Sequence, residues 1–527
     1  MTSFTSTWSV EAASQSEASS IEVTNRVSIE EQYSDVATIS TWALDGVQQA
    51  TDYGFVQGSN GQFKPQSAIT RAEFTKILAA LLHLNINNGI PTAFNDVNPE
   101  SWFYPYVMAA YQQELITGYN NNFNPAATIT REEMAVILNR ALSIKAESTS
   151  ISLKDSSAIS SWALPSVSNM ITTGLMLGDQ SGFRPKGTVT REMAALVAVR
   201  AYHYKQNLNV DIKQTIAEQL KATAIFLQQT ITNPVIASVG GDWTVLALAR
   251  ANADVPSTYY STYYNHVLST MTDLKGKLHA VKYTEYDRVI LALTSLGKSI
   301  TDVAGYDLSE PLADYNTVIK QGINGPIFAL IALDSNHYEI PIVEDVPVQT
   351  TRELLIDFIM KREIAGGGWA LGSEPTQADP DITAMAIQAL TPYYAINETV
   401  KAAVDRGIAW LSKAQRANGG FTSTGASNSE SIAQVVIALT GIGIDPMEDA
   451  RFVKNGTSMI DALLSFAAPN GGFYHVKLGG IDNGGARPGT VDHMATDQVF
   501  LALISYKRYL HGDRRLYDMS DVIKVME

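Results

Sequence analysis

Apolar positions along the chain follow two regimes. Between residues 34 and 205 they recur at helical spacing in short runs, such as Val47, Ala50, Tyr53 and Phe55, each starting near a Trp and running to a Gly suited to a left-handed helix stop. The segment F-x-P that follows cannot be helical at its middle residue, because Pro disfavours that conformation in the residue before it. Thr70, Thr130 and Thr190 then stand where an N-cap belongs, with acidic residues in the first turn and an apolar helix behind. The predicted unit is helix, loop, helix, and it occurs three times. Trp42, Trp102 and Trp162 are 60 residues apart, as are Arg71, Arg131 and Arg191. Gly58, Gly118 and Gly178 follow their Trp by sixteen residues, and Phe63, Phe123 and Phe183 follow their Gly by five. A fixed period of this kind marks a repeat architecture.

From Ile212 onward the pattern changes. Six segments, 243–251, 286–296, 325–334, 381–391, 431–440 and 496–506, share an Ala-Leu pair and are apolar nearly all round, which predicts helices buried on every side. Stretches such as 211–230, 351–363 and 397–416 are amphipathic and predict half-exposed helices between them. Six buried helices alternating with six half-exposed ones suggest an inner and an outer ring. The turns agree: Gly240-Gly241-Asp242-Trp243, Gly367-Gly368-Trp369, Asn418-Gly419-Gly420-Phe421 and Asn470-Gly471-Gly472-Phe473 supply backbone freedom and an aromatic plug. The fold class expected is all-α. The divisions expected are a flexible leader over 1–33, repeats at 34–92, 93–150 and 151–205, and the helical ring over 206–527.

Composition narrows the function. A chain of 527 residues exceeds one core. Its formal charge of -15 and lack of Lys/Arg blocks argue against a nucleic-acid partner. Cysteine is absent, which removes disulfides, thiolate metal sites and Cys nucleophiles together. No secretory signal is visible at the N-terminus, and no run of about eighteen apolar residues is available to span a bilayer.

The threefold recurrence of Trp, Gly, F-x-P and I/V-T-R-x-E resembles the S-layer homology (SLH) domain, the module that holds bacterial surface proteins to cell-wall polysaccharide. The resemblance implies a pseudo-threefold helical bundle whose grooves take a secondary cell-wall polymer, often pyruvylated, on an extracellular protein at the cell wall. It implies polymer contact by Arg71, Arg131 and Arg191, with Trp42, Trp102, Trp162, Asp35, Asp96, Asp155, Gly58, Gly118 and Gly178 shaping the grooves. The chemistry agrees independently, since an Arg beside a helix N-terminus adds a forked cation to free backbone N–H groups and suits a carboxylate. The alternative is structural: each Arg pairs with the next helix-start Glu, and each Trp is core. The third repeat, Thr190-Arg191-Glu192-Met193, lacks one acid and reads as one residue short after the Arg. That ranks Arg191 below Arg71 and Arg131, with two dependable grooves and a third that differs.

The G-G-W/F turns and helix pairs over about 210–520 resemble the α/α toroids of terpene cyclases and protein prenyltransferases, and most nearly the prenyltransferase/squalene-oxidase-repeat proteins. An α6/α6-like toroid is implied, binding a small or amphipathic ligand at the end where its inner helices begin. Helix dipoles and polar residues converge there. The pocket candidates are Trp243, Tyr286, Asp287, Trp369, Asp381, Glu430, His493 and Asp497. Asp379-Pro380-Asp381-Ile382-Thr383-Ala384 resembles the cyclase motif D-x-D-D-T-A with its last acid replaced by Ile382, so Asp379 and Asp381 are catalytic candidates with the acid cluster broken. The alternative is that an Asp before Pro at N1 simply caps a helix. Asp492, His493 and His475 lack the spacing of a metal motif, and neither metal nor cofactor is expected. A lyase-like use of His493, Tyr474 and Arg487 is singled out by no spacing. Three functions follow: an anchored binding module, an anchored enzyme, or a structural surface-array subunit.

Overall fold

The computed structural model describes residues 28–86, 94–144, 153–179, 181–454 and 456–523. Helices dominate, and two short antiparallel pairs, Thr422–Ser423 with Ala426–Ser427 and Phe473–Tyr474 with Val491–Asp492, qualify the all-α expectation. The chain divides into two compact units, Met1–Gln206 and Asn207–Glu527.

In the first unit each repeat contributes a short helix after its Trp (Leu44–Asp52, Tyr104–Gln112, Leu164–Thr172) and a second helix beginning at its Arg (Arg71–Leu81, Arg131–Ala141, and one from Arg191). The segments before the second helices meet one another. Ile69 N–H donates to Val189 O at 2.9 Å, Val189 N–H to Ile129 O at 3.1 Å, and Ile129 N–H to Ile69 O at 3.1 Å. These three side chains are buried, as are Phe63, Phe123 and Phe183 beside them. Most of the leader expected over 1–33 lies outside the described residues, but its end is structured. Ser28 caps a turn Ile29–Gln32, and Ile29 and Tyr33 are buried in the core. The left-handed residue after the first helices is Gly54, Glu114 or Gly174, four residues before the glycines expected to provide it.

The helix from Arg191 continues to Thr230, a span of 40 residues, because nothing between Ala201 and Ile212 breaks it. The separate helix expected over 211–230 is therefore its C-terminal part. In the second unit the six apolar segments form the helices Asp242–Arg250, Thr284–Ser295, Asn324–Asp334, Pro380–Leu390, Ser429–Gly441 and His493–His511. Each packs against the next, and the last against the first. Ser257–Asp273, Arg352–Met360, Glu398–Ala414 and Met459–Leu464 alternate with them along the chain. Between Thr284–Ser295 and Asn324–Asp334 the half-exposed helix is replaced by short turns, Glu310–Ala313, Tyr315–Val318 and Ile319–Gln321. Trp369, Phe421 and Phe473 are fully buried behind their Gly turns. Gly367 cannot carry a side chain: its φ is 100°, and a Cβ there would stand 2.5 Å from Arg406 O. Among the described residues no helix is long and apolar enough to cross a membrane.

Candidate functional site

The local sequence aims the three arginines. Thr70 and Thr130 cap their helices through full capping boxes, with Glu73 and Glu133 accepting in return. The Arg at the first helical position then reaches into the next repeat. Arg71 Nε donates to Phe123 O at 2.9 Å, Nη2 to Thr117 O at 3.4 Å, and Nη1 to Glu133 Oε1 at 3.3 Å. Its guanidinium lies 4.9 Å from the centre of the Phe123 ring, a cation–π distance. Arg131 repeats this on the third repeat, with Phe183 O at 2.8 Å, Leu177 O at 2.7 Å and the Phe183 ring at 4.7 Å. Arg191 returns to the first, with Phe63 O and Gln57 O at 2.8 Å, Glu73 at 3.5 Å and the Phe63 ring at 5.3 Å. Burial lowers the pKa of Arg71 and Arg131 from the ordinary value.

The third repeat is not short. Phe74, Met134 and Ala194 are all buried at the same 60-residue interval, so the helix keeps its register. The acid it retains, Glu192, corresponds to Glu132. Both are buried and accept from a serine of the next repeat, Glu132 from Ser160 N at 3.1 Å and Glu192 from Ser40 N at 3.0 Å. What differs is Met193 in place of Glu73 and Glu133. Arg71 and Arg191 each pair with a glutamate of another repeat, Glu133 and Glu73, whereas Arg131 makes no ion pair among the described residues.

Asp35, Asp96 and Asp155 hold the F-x-P loops. Each carboxylate accepts two consecutive backbone N–H groups, those of Phe63 and Lys64 (both 2.7 Å), of Phe123 and Asn124 (2.8 and 2.7 Å), and of Phe183 and Arg184 (2.9 and 2.6 Å). The second residue of each pair is left-handed, with φ of 59°, 58° and 54°. Gly58 and Gly118 are required by close approach, since a Cβ would lie 2.5 Å from Tyr33 and from Phe94. The tryptophans are not core: Trp42, Trp102 and Trp162 are 52%, 55% and 57% exposed. A groove of about 380 Å³ is lined by Arg71, Gly118, Phe123, Glu133 and Trp162, so it joins one candidate from each repeat. Phe123 and Glu133 were not singled out by the sequence as site residues, although F-x-P and the helix-start acid mark them.

In the second unit Asp379 caps Pro380–Leu390, accepting from Asp381 N and Ile382 N, and receives Ser423 Oγ at 2.7 Å. Capping accounts for Asp379. Asp381 differs: Oδ1 is buried without a hydrogen-bond partner, and burial, then the Asp379 charge, raises its pKa to about 7. Asp497 is buried, accepts Thr244 Oγ1 at 2.8 Å and is likewise raised to about 7 by burial. Asp242 rises to about 6 by burial, and Tyr263 donates to it at 2.7 Å. Asp287, fully buried, is pushed well up and keeps one oxygen unpartnered. Glu430 pairs with His475 Nδ1 at 2.7 Å, and His475 Nε2 meets Asn483 Oδ1 at 2.9 Å. His493 stacks on Phe226, and Trp243 lies 6.0 Å from Phe328. Two other pocket candidates bond within the protein. Trp369 is wholly buried with Nε1 donating to Ile359 O at 2.8 Å, and Tyr286 is buried with its hydroxyl on Leu278 N and Gly276 O. Among the described residues no three His, Asp or Glu side chains are grouped to hold a metal ion.

Residues 32–75, 93–135 and 152–195 match the S-layer homology domain, and the chain carries three of them. It is 26% identical over 257 residues to the surface-layer 125 kDa protein of Lysinibacillus sphaericus, an alignment covering 46% of this chain and 21% of that protein. It is 34% identical over 174 residues to exoglucanase XynX of Acetivibrio thermocellus, covering 32% and 16% of the two chains. It is 30% identical over 158 residues to the S-layer protein sap of Bacillus anthracis, covering 29% and 19%. The chain thus spans about a fifth or less of the length of these relatives.

Proposed function

We propose that this is a cell-surface protein held to a secondary cell-wall polysaccharide by its three SLH domains, which form a pseudo-threefold bundle over about 28–205. The observation that carries the reading is the groove where Arg71, Gly118 and Trp162, one from each repeat, come together. A mostly buried guanidinium beside an exposed indole suits a sugar bearing an anionic group, the indole stacking on the sugar face and the fork taking the acid. The S-layer and glucanase relatives support the same reading. Sedimentation of the full chain with purified cell walls tests it. Binding is expected to fall when Arg71 and Arg131 are both replaced by Gln, or when the walls are stripped of secondary polymer; unchanged sedimentation removes the anchoring claim.

The second unit, about 206–527, reads as an α/α toroid displayed outward as a binding module. The closed succession of six buried helices supports this, as do the polar groups at their starts. A ligand with hydroxyl or amine donors suits the unpartnered oxygens of Asp287, Asn324 and Asp381. The enzyme reading is favoured by the buried, unpartnered Oδ1 of Asp381, whose carboxyl burial pushes up to about 7, as suits a general acid. Incubating the full chain with a surface lipid extract, followed by mass spectrometry, separates the two. Retention of a compound supports binding, and conversion abolished by Asp381→Asn supports catalysis.

A further inference from the structure

Two inner helices of the second unit, Pro380–Leu390 and Ser429–Gly441, pack side by side, and both start with acids. Asp379 caps the first with a fully engaged carboxylate: Oδ1 accepts from Asp381 N–H and Ile382 N–H, and Oδ2 from Ser423 Oγ. Glu430, in the first turn of the second helix, is engaged as well, with Oε1 on His475 Nδ1 and Oε2 accepting from Ser429 Oγ at 3.1 Å. Burial works to lower the pKa of His475, but Asn483 on Nε2 and Glu430 outweigh it and raise the value, with Asp492 adding to the effect. The imidazole charge is therefore committed to Glu430. Between these engaged groups two polar atoms have no partner. Asp381 Oδ1 is buried without a hydrogen bond, and so is Oγ of the wholly buried Ser431. The Ser431 hydroxyl faces the Asp381 carboxyl and eases its ionisation, yet the two do not meet at bonding distance.

The charges that act most strongly on Asp381, those of Asp379 and Glu430, are both negative. An anion brought here would meet three carboxyl groups. A neutral hydroxyl could donate to Asp381 Oδ1 but would leave the repulsion among the acids untouched. An ammonium group carries three N–H donors and a positive charge, so it can serve Asp381 Oδ1 and Ser431 Oγ together while relieving that repulsion. The loops around these helix starts are apolar where they reach solvent. Leu371 stands in the loop that leads into Asp379, and Leu478 and Ile481 stand on a glycine-rich strap, 475–490, which His475 ties to Glu430 and Asn483 ties to Thr424. The three side chains are 55%, 86% and 67% exposed, which offers hydrocarbon to whatever carries the ammonium group.

We propose that the starts of Pro380–Leu390 and Ser429–Gly441 form a binding site for a primary amine on an aliphatic chain, with the ammonium group between Asp381 Oδ1 and Ser431 Oγ and the chain along Leu371, Leu478 and Ile481. The site rests on the reading of the second unit as a binding module and gives that module a ligand class.

Calorimetric titration of the full chain with octylamine, octanol and octanoate, each below its aggregation concentration, tests it. Octylamine is expected to bind at least about tenfold more tightly than octanol, and octanoate not to bind. Titration in buffers of different ionisation enthalpy follows the proton. The bound ammonium favours the ionised carboxyl, so the parent chain is expected to release most of one proton at about pH 6 and almost none at about pH 8.5, with affinity rising between them. Asp381→Asn is expected to keep the melting transition and to abolish both the amine preference and the proton release, which assigns the proton to Asp381 and not to Asp379, Glu430, His475 or Asp492. Ser431→Ala is expected to weaken octylamine severalfold. Ethylamine is expected to bind more weakly than octylamine, and the double change Leu478→Ser and Ile481→Ser to narrow that gap. Octylamine binding no tighter than octanol, binding by the parent without proton release at about pH 6, or parent-like binding by Asp381→Asn overturns the proposal. Preference for octanol or octanoate removes the amine assignment and leaves a binding module standing, whereas failure to retain any compound from a surface extract removes the module reading itself.

Discussion

Arg71 and Glu133 stand 62 positions apart in different repeats, and Nη1 of one meets Oε1 of the other at 3.3 Å. The same carboxylate closes a helix cap, with Oε2 accepting Thr130 N–H at 2.8 Å. One side chain thus stabilises a helix start and joins it to the preceding repeat.

Replacing Glu133 should therefore cost more than breaking an ordinary surface ion pair. Glu133→Ala is expected to destabilise by about 1–3 kcal/mol, the sum of a lost cap and a partly buried pair, and Glu133→Gln by less than about 1 kcal/mol, because the amide still accepts from Thr130. Urea denaturation of the two variants checks the order.

Asp155 gives the first unit an acid-sensitive fastening. Burial works to raise its pKa, but the N–H groups of Phe183 and Arg184 outweigh burial and hold it below the usual carboxylate range. A depressed folded pKa contributes stability that is present above the unfolded value of about 3.9 and lost as the pH falls through the folded value. Asp155→Ala is expected to cost about 1–2 kcal/mol at pH 7, discounted for the solvent-facing half of the clamp. The gap from the parent should close as thermal melts are carried down toward pH 2.

Trp162 is expected to separate binding from stability. Its indole is more than half exposed, so Trp162→Ala is expected to shift the melting temperature by less than about 2 °C, in line with a surface substitution. Wall sedimentation by the same variant should fall severalfold. A variant that melts early without losing wall binding would return the indole to a packing role.

The second unit should respond to pH in the opposite sense. Asp497 is raised to about 7 by burial, so the folded state holds a proton that the unfolded chain releases near pH 4. Its contribution is fully present below the unfolded pKa and is lost as the pH rises through about 7. Asp497→Asn, neutral throughout and still able to bond Thr244, is expected to stabilise by about 2–4 kcal/mol at pH 8 and by nearly nothing at pH 4. Melts of the two chains at the two pH values check both the sign and the window.

Elements legible in the sequence were those whose physics is local. Segments such as 431–440 carry apolar residues on every face, and a helix buried all round is the outcome. Thr70 and Thr130 announce their caps three residues before the acids that complete them. Features that stayed hidden depend on partners far along the chain. Nothing near Arg71 shows that its fork reaches Glu133, 62 residues on, or near Arg191 that its fork reaches back to Glu73. The exposure of the three indoles is not legible locally either, because a large apolar side chain is ordinarily buried. The run from Ala201 to Ile212 contains no breaker, and only the change of period suggested an end to a helix that continues to Thr230.

Arg191 donates to the carbonyl of Phe63, made 128 residues earlier. A ribosome adding about 5–20 residues per second delivers that arginine roughly 6–25 s after the phenylalanine. Throughout the interval the nascent first repeat carries an open seam, with the Phe63 carbonyl and the Ile69 N–H awaiting partners not yet synthesised. A message truncated after the second repeat would leave both faces of the seam exposed and prone to meeting another chain. Completion of the third repeat is thus the event that seals the first.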